Sequence, residues 1–391
     1  MRPIVAILSL STAVAATFVH PGALHTTEDF ERIRTHVANE DEPWNTTWTL
    51  LTSSSYAQSS YLPSPKETVC RGNNGVDSEN YASLYRDTAA AYQLAIRWLV
   101  SNDTSYADAA VNILSSWAAS LTGIEGTSDK FLASGLYGYQ MANAAELMRD
   151  YSGWSSYNKT LTGTMLTNVF ASMNIRFLEE HNGQDYYHYY ANWDQCNLAS
   201  LLAIGIFTDN QTMFDYGIDY VCTGPSNGAL PVFSVANYTE AGTCKTLTQG
   251  QEAGRDQGHS TLDIMLWGVI AQQAYNQGID LFAEHENKIL NSAEYAAKYN
   301  VGFDVPYTLY QSYQGNQTVI SSNSRGVIRP GFELISAHYG QLKGLDSSWT
   351  DAYRDMVNAN STSGVEGGGG NYGSNSGGFD GLGFGTLLYR L

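Results

Sequence analysis

The chain has 391 residues, a formal net charge of −18 at pH 7 and 12% aromatic residues. A general nucleic-acid binder or membrane-surface binder needs a broad basic field, so this acidity excludes both classes. A membrane-spanning helix needs about 18 to 20 unbroken apolar residues. The best interior apolar run, 198–207, has roughly half of that length. An anionic ligand is compatible with this charge only where cations are gathered locally.

The N-terminus has the features of a secretory signal peptide. One Arg precedes an apolar run at 3–10, and small residues crowd 13–16, which predicts a signal peptide at 1–16 and a mature chain at 17–391. Asn-x-Ser/Thr sequons predict N-glycans, and they lie at Asn45, Asn102, Asn158, Asn210, Asn237, Asn316 and Asn360. We therefore expect a secreted, extracellular protein.

The four cysteines form an even set in a compartment that would be oxidising. They predict two disulfides. Cys222 with Cys244 would close a short loop, which leaves Cys70 for Cys196, although all three connectivities are possible from the sequence.

Helical periodicity dominates the predicted elements. Residues 79–118 form a predicted helical hairpin with a Ser-Asn-Asp break, and further amphipathic helices are predicted at 136–151, 161–181, 192–210, 260–277 and 281–300. No segment of comparable length alternates with period two, so the fold class is all-α. Repeated hairpins of this kind build (α/α) toroids, which reach this length as one domain.

After residue 300 the helical pattern breaks down. We predict loop with short strands at 305–328 and the entry to another helix at 330–339. The glycine-rich stretch 364–378 predicts a surface loop, and the apolar segment 384–388 is expected to dock on the body of the protein.

The densest polar cluster is QEAGRDQGHS at 251–260, at the start of a predicted helix. It is either a catalytic cluster or a polar helix start in which Asp256 is the cap. His259 has Asp263 at i+4, where a carboxylate could hold the imidazole in one tautomer. Glu252 and Arg255 precede the histidine on the approach to the helix.

A second helix start carries amides. Asn192 and Gln195 are one turn apart, so both could face one substrate carboxylate, with the aromatic Trp193 between them as a substrate contact. Alternatively, Asn192 is the N-cap of its helix.

Three arginines are candidates for binding carboxylates. Arg325 and Arg329 are four apart, and Arg71 follows Cys70. Arginine binds a carboxylate bidentately, although an internal ion pair of Arg329 with Glu333 is the alternative.

Several blocks occur in an order that resembles the secreted polysaccharide lyases of the alginate lyase superfamily. These blocks are HPGALHTTEDFERIR (20–34), 89–118, NWDQ (192–195), GRDQGHSTLDIMLWG (254–268), EYAAKYNVGFDVPY (294–307) and SRGVIRPGFELISAHY (324–339). The resemblance implies an incomplete (α/α) toroid and β-elimination on a 4-linked uronic-acid polymer, without a cofactor.

The resemblance also implies roles for individual residues. Elimination needs a group that neutralises the substrate carboxylate, a base for the C5 proton and an acid for the leaving oxygen. Asn192 matches the asparagine of such lyases, and His259 is the base or a neutraliser, although relatives have a tyrosine in that region. Tyr307 is the preferred acid, and the other candidates are Tyr310, Tyr186, Tyr187, Tyr189 and Tyr190. Tyr310 and Arg255 are expected to bind substrate, with Glu252 and Asp263 in support.

Two other functions fit the sequence. An inverting glycoside hydrolase would use two carboxyls about 6.5 to 9.5 Å apart, for which Asp194 with Glu252 or Asp256 are candidates. A non-catalytic carbohydrate-binding protein of the same fold is the second.

The sequence also gives expectations for the substrate, the metal content and the oligomeric state. The polymer is alginate, glucuronan or another polyuronate, and the glycosylated, secreted character favours glucuronan. His181 and His188 do not form a familiar metal-ligand spacing, so no metal is expected. We expect a monomer.

Overall fold

In a computed structural model, which describes residues 17–391, helices dominate the chain. The predicted signal peptide at 1–16 lies outside the described residues. The helices are α1 (Thr27–Ala38), α2 (Trp44–Ser53), α3 (Ala82–Ser101), α4 (Thr104–Ser120), α5 (Lys130–Leu147), α6 (Ser156–Met165), α7 (Ser172–Glu180), α8 (Ala191–Phe207), α9 (Gln211–Thr223), α10 (Gln257–Asn276), α11 (Glu284–Asn300), α12 (Phe332–Ser336), α13 (Ser348–Ala359) and α14 (Gly385–Leu388).

The helices form two concentric layers. In the inner layer α3 packs on α5, α5 on α8, α8 on α10 and α10 on α12. Outer helices back them, with α4 on α3, α9 on α8, α11 on α10 and α13 on α12. The segment before α14 contacts α3, and α14 itself contacts α12, so the C-terminus lies between the first and last inner helices. This is the predicted α/α toroid, and the all-α class is confirmed.

The inner helices are buried around their whole circumference. This explains why the second half of α8, at 198–207, is almost wholly apolar on every face, whereas outer helices such as α13 have one apolar stripe. Close packing of α5 on α8 depends on two glycines. A Cβ at Gly135 would lie 2.4 Å from Cys196 Sγ, and one at Gly138 would lie 2.3 Å from Ser200 Oγ. Neither position has room for a larger side chain.

Short strands occur only as pairs in the connections that the structure describes. The strands are β1 (Thr68–Arg71), β2 (Gly123–Gly126), β3 (Ser234–Thr239), β4 (Thr246–Gly250), β5 (Tyr310–Ser312) and β6 (Gly315–Gln317). β1 pairs with β2 in parallel, whereas β3–β4 and β5–β6 are antiparallel hairpins. The β5–β6 hairpin lies within the predicted 305–328 segment. The other four strands were not predicted, because none is longer than six residues.

The glycine-rich tail differs in part from its prediction. Residues 370–377 are mostly exposed, but 365–369 are buried. A Cβ at Gly368 would lie 2.1 Å from the Phe384 ring, and the Gly369 carbonyl accepts a hydrogen bond from Gln93. The surface-loop prediction is therefore wrong for 365–369, because Gly367, Gly368 and Gly369 let the backbone pack closely against buried side chains. The segment 384–388 is buried as predicted.

The predicted disulfides are a further correction, since all four cysteines are free among residues 17–391. The Cys70 thiol faces the carbonyls of Gly72 and Asp77 at 3.6 and 3.7 Å. Cys196 fills the contact between α5 and α8, where burial raises the pKa of its thiol. Cys222 is partly exposed and Cys244 exposed. Neither predicted pair is formed.

The described helices include none that is long and apolar enough to cross a membrane. The sequon asparagines are all exposed or partly exposed, so their predicted glycosylation stays a prediction.

Candidate active site

The polar groups of the site converge where α8 and α10 begin. Their centre is Glu252, whose side chain is fully buried in the turn before α10. Its Oε1 accepts hydrogen bonds from the side-chain amide and the backbone N–H of Asn192, the latter at 3.3 Å. Its Oε2 accepts one from Arg255 Nη1 at 2.8 Å. One carboxylate thus positions both groups that could neutralise a substrate charge.

Arg255 is held on two sides. Its guanidinium lies 4.4 Å from the centre of the Tyr190 ring, in addition to its ion pair with Glu252. Burial alone would lower the pKa of Arg255, but the charge and the hydrogen bond of Glu252 raise it above its usual value. The side chain is 22% exposed, so it is a fixed cation that can reach a ligand.

Asp263 does not contact His259 as predicted. It is buried beside Glu252, and burial together with the Glu252 charge raises its pKa well above the usual value. The raised pKa favours the protonated form of Asp263, whose O–H is able to donate to Glu252.

Gln195 belongs to the same buried network. With its amide oriented to satisfy both neighbours, it donates to Asp263 Oδ1 at 3.1 Å and accepts from Trp267 Nε1 at 2.7 Å. The predicted contact of Gln195 with substrate is therefore wrong, because the residue is fully buried and both ends of its amide are taken.

The partner of His259 is Asp256. Asp256 Oδ2 lies 2.6 Å from His259 Nδ1, while its Oδ1 accepts the backbone N–H of His259 at 2.9 Å as the cap of α10. Side chains on a helix lean towards its N-terminus, which brings the imidazole to the cap and away from Asp263. Burial would raise the pKa of Asp256, but the interactions with His259 outweigh it and lower that pKa.

This pairing fixes the imidazole in one orientation. A carboxylate only accepts hydrogen bonds, so Nδ1 carries the proton and the Nε2 lone pair of the neutral ring is open. Among residues 17–391, Nε2 has no hydrogen-bond partner, and the side chain is 37% exposed. His259 therefore has a solvent-accessible ring nitrogen that is able to act as a base.

The tyrosines of the 305–328 segment lie beside Gly254. Tyr310 Oη accepts a hydrogen bond from the Gly254 backbone N–H at 3.0 Å, and Tyr307 Oη donates to the Gln317 carbonyl at 3.0 Å. A Cβ on Gly254 would lie 2.5 Å from Tyr307 Oη, so glycine is required for this contact. Burial raises the pKa of Tyr307 to about 12 and that of Tyr310 further. Both are protonated donors near neutral pH.

Arg71 and Arg329 have aromatic and acidic neighbours. Arg71 lies 5.2 Å from the Tyr81 ring centre, and its Nη1 is 3.1 Å from Tyr137 Oη. Arg329 pairs with Asp380 at 3.5 Å. The alternative ion pair with Glu333 is not formed, because Arg390 occupies that carboxylate at 2.7 Å.

Two predicted substrate contacts, Arg325 and Trp193, pack against neighbouring tyrosines. Arg325 stacks on Tyr299 and donates to the carbonyls of Tyr299 and Phe303, so its contacts lie at the end of α11. Trp193 packs against Tyr189, with the ring centres 4.6 Å apart, and stays partly exposed. The structure does not bring Arg325 into the Glu252 cluster.

Two residues have contacts that the sequence did not predict. Tyr190, one of the tyrosines considered as the acid because it lies just before Asn192, supports Arg255. The pairing of His259 with Asp256 was not predicted, because Asp256 was assigned to the helix cap and to the hydrolase alternative and Asp263 was preferred as the partner of His259. Within residues 17–391, no group of three or more His, Cys, Asp or Glu side chains is arranged to hold a metal ion.

The fold and the site together define the class of protein. A helical toroid that brings together an amide, an arginine and an open imidazole at the starts of two inner helices is suited to a polysaccharide lyase. Residues 42–304 match the family model described as alginate lyase. The chain therefore belongs to the alginate lyase family and is a polysaccharide lyase, as predicted.

Solved structures of the same fold share little sequence with the chain. Alginate lyase A1-III from Sphingomonas species A1 is 13% identical, with a TM-score of 0.61 over 96% of this chain and 98% of that chain. A histidine-to-alanine variant of A1-III complexed with tetrasaccharide is 14% identical, with a TM-score of 0.62 over 98% of this chain and 99% of that chain. An alginate lyase from Bacteroides ovatus is 12% identical, with a TM-score of 0.59 over 89% of this chain and 98% of that chain. Among curated proteins, none matches the chain.

Proposed function

We propose that the protein is secreted and cleaves a 4-linked polyuronate, with β-1,4-glucuronan preferred over alginate, by β-elimination. One observation carries this proposal. Glu252 fixes Asn192 and Arg255 together at the start of α8, and the adjacent start of α10 presents the open Nε2 of His259.

The first requirement of elimination is to make the C5 proton acidic. The neighbouring carboxylate withdraws charge from C5 only when its own negative charge is neutralised. Arg255 supplies a permanent positive charge and Asn192 an N–H donor, and both are preorganised by Glu252. Arg71 and Arg329 are cations for the carboxylates of other sugar residues, which offsets the acidity of the whole chain. Trp193 is a partly exposed aromatic contact for the polymer.

The base and the acid must be different groups. His259 takes the C5 proton on Nε2, and the resulting imidazolium is stabilised by Asp256, which stays ionised. Tyr307 donates its proton to the departing oxygen, because a phenol with a pKa of about 12 is an acid and not a base near neutral pH. Tyr310, on the other side of Gly254, is placed to contact the substrate.

Removal of the phenol proton tests the acid. Tyr307→Phe should lower kcat roughly 10²-fold with little change in KM, since general acid catalysis contributes about 10² to 10⁴. Tyr238→Phe is the matched control, because that hydroxyl lies near Tyr307 and bonds Thr308 and Gln249. Equal loss in both variants would transfer the acid role away from Tyr307.

The hydrolase alternative has less support. Asp194 is fully buried, pairs with His181 at 2.8 Å and accepts the Gly228 N–H at 3.1 Å. Glu252 is equally buried and saturated with donors. Neither carboxyl is free to activate a water or protonate a leaving group, so Asp256 has no second carboxyl with which to work.

The decisive experiment is a panel of polyuronates followed by ultraviolet absorbance. Elimination leaves an unsaturated uronate end that absorbs, whereas hydrolysis leaves reducing ends without absorbance. We expect absorbance to rise fastest with β-1,4-glucuronan. A faster rise with alginate would correct the substrate, reducing ends alone would establish hydrolysis, and binding without any new ends would establish a carbohydrate-binding protein.

A further inference from the structure

The turn of the β5–β6 hairpin exposes an aromatic ring beside the active site. Tyr313 is 50% exposed, although it lies against two other rings. Its centre is 4.6 Å from the His188 ring, at an interplanar angle of 31°, and 5.3 Å from the Tyr190 ring at 64°. Gln314 Nε2 donates to its hydroxyl at 3.0 Å, which fixes the end of the side chain. The ring is therefore oriented, not merely solvent-exposed.

The hairpin is tied to the catalytic cluster through Tyr190. Tyr190 Oη donates to Gln314 Oε1 at 2.9 Å and lies 3.2 Å from Ser312 Oγ, so it anchors both sides of the turn. The same Tyr190 ring carries the guanidinium of Arg255 at 4.4 Å. Tyr313 is thus one ring away from the arginine that faces the substrate carboxylate.

We propose that Tyr313, backed by His188, is a stacking platform for a pyranose ring of the polymer, one subsite away from the bond that is cleaved. The proposal rests on the proposed function for the identity of the polymer. The C–H face of a 4-linked pyranose packs on an aromatic face, and an oriented ring loses little freedom on binding. Such a platform recognises the ring and not the charge, so it complements Arg255.

Binding and turnover separate this role from simple support of the hairpin. Tyr313→Ala should weaken binding of long glucuronan oligosaccharides about five- to tenfold, as expected for loss of one aromatic stack. Disaccharides and trisaccharides that do not reach the subsite should bind unchanged. Tyr313→Phe should behave as wild type, because the stacking face is kept. Tyr157→Ala is the matched control, since Tyr157 is 73% exposed on the outer helix α6.

The experiment is calorimetry in the His259→Ala background, with turnover in the otherwise wild-type chain. Loss of affinity confined to long oligosaccharides, with KM raised and kcat unchanged, supports the platform. The proposal is overturned if Tyr313→Ala binds long oligosaccharides as tightly as the chain that keeps Tyr313. It is also overturned if Tyr313→Ala loses affinity for short and long oligosaccharides alike, because that result would indicate a collapsed site. Binding that depends on Tyr313 in a protein without lyase activity would overturn only the proposed function.

Discussion

The starts of α8 and α10 lie side by side, but they hold their polar groups in different ways. At the start of α8, Asn192 is 2% exposed and Gln195 fully buried, and their amides are bound to buried partners. At the start of α10, His259 is 37% exposed and is held through one ring nitrogen only.

The difference separates positioning from chemistry. Gln195 is bonded at both ends of its amide, so it is held rigidly and has no free atom with which to react, whereas Asn192 donates one side-chain N–H to Glu252 and has a second N–H for a substrate. A group that is bonded on one side keeps its orientation and presents the other side to the cleft. The α8 start therefore positions the Asn192 amide, and the α10 start carries the open nitrogen of the base.

Removal of the imidazole at the start of α10 should have the largest effect on turnover. We expect His259→Ala to lower kcat on the order of 10³-fold, since a general base contributes about 10² to 10⁴. Initial rates of ultraviolet absorbance measure the loss, and thermal unfolding should be nearly unchanged. His285→Ala, at an exposed position, is the control. Retained activity in His259→Ala would remove the histidine from the mechanism.

A change of tautomer should have the next largest effect. Asp256→Asn keeps an oxygen for the helix cap but places an N–H donor against Nδ1, so the proton moves to Nε2 and the base is lost. We expect a fall in kcat of about 10²-fold at unchanged fold. An unaltered pH profile of kcat in this variant would contradict the pairing of Asp256 with His259.

Loosening of the α8 start should have a smaller effect on turnover and a larger one on stability. Glu252→Gln turns one acceptor into a donor that opposes Arg255 or Asp263. We expect kcat to fall about tenfold and KM to rise about tenfold. The free energy of unfolding should fall by on the order of 3 kcal/mol. Chemical denaturation and steady-state kinetics measure both. Glu286→Gln, on the surface, is the control. A normal Glu252→Gln enzyme would show that Glu252 positions nothing.

The smallest effect should be a dependence of stability on pH. Burial raises the pKa of Glu366 to about 7 and that of Asp263 well above its usual value. Their contributions to stability are complete below the unfolded pKa and are lost as pH rises through the folded pKa. Burial lowers the pKa of His25 and His338 to about 4, so their contributions are lost as pH falls below about 6.5.

The two effects oppose each other in mild acid, and only the carboxyl effect acts above neutrality. The free energy of unfolding should therefore fall as pH rises above 6.5 and through the folded pKa of Glu366 at about 7, by on the order of 1 kcal/mol per pH unit. Asp263→Asn preserves both hydrogen bonds and should flatten this decline while leaving kcat unchanged. A decline of the same steepness in Asp263→Asn would show that Asp263 is ionised in the native protein.

Local sequence patterns located the elements of the site but not its pairings. The predicted helices at 192–210 and 260–277 are observed at 191–207 and 257–276. The i+4 spacing of Asp263 from His259 was correct for a helix, but Asp263 is engaged by Glu252, which is in a preceding turn. Local spacing likewise suggested an ion pair of Arg329 with Glu333, but Glu333 pairs with Arg390, which is distant in the sequence.

The sequence by itself determined the helical class, the family resemblance and the two polar helix starts, because these depend on periodicity and on the order of short motifs. Only the tertiary structure decided which carboxyl holds His259, which amide is buried, and that the segment 365–369 is buried. Each of these outcomes is a competition between partners far apart in the chain. Burial settles that competition, since a buried polar group must take whichever partner the packing of α8 against α10 brings within reach.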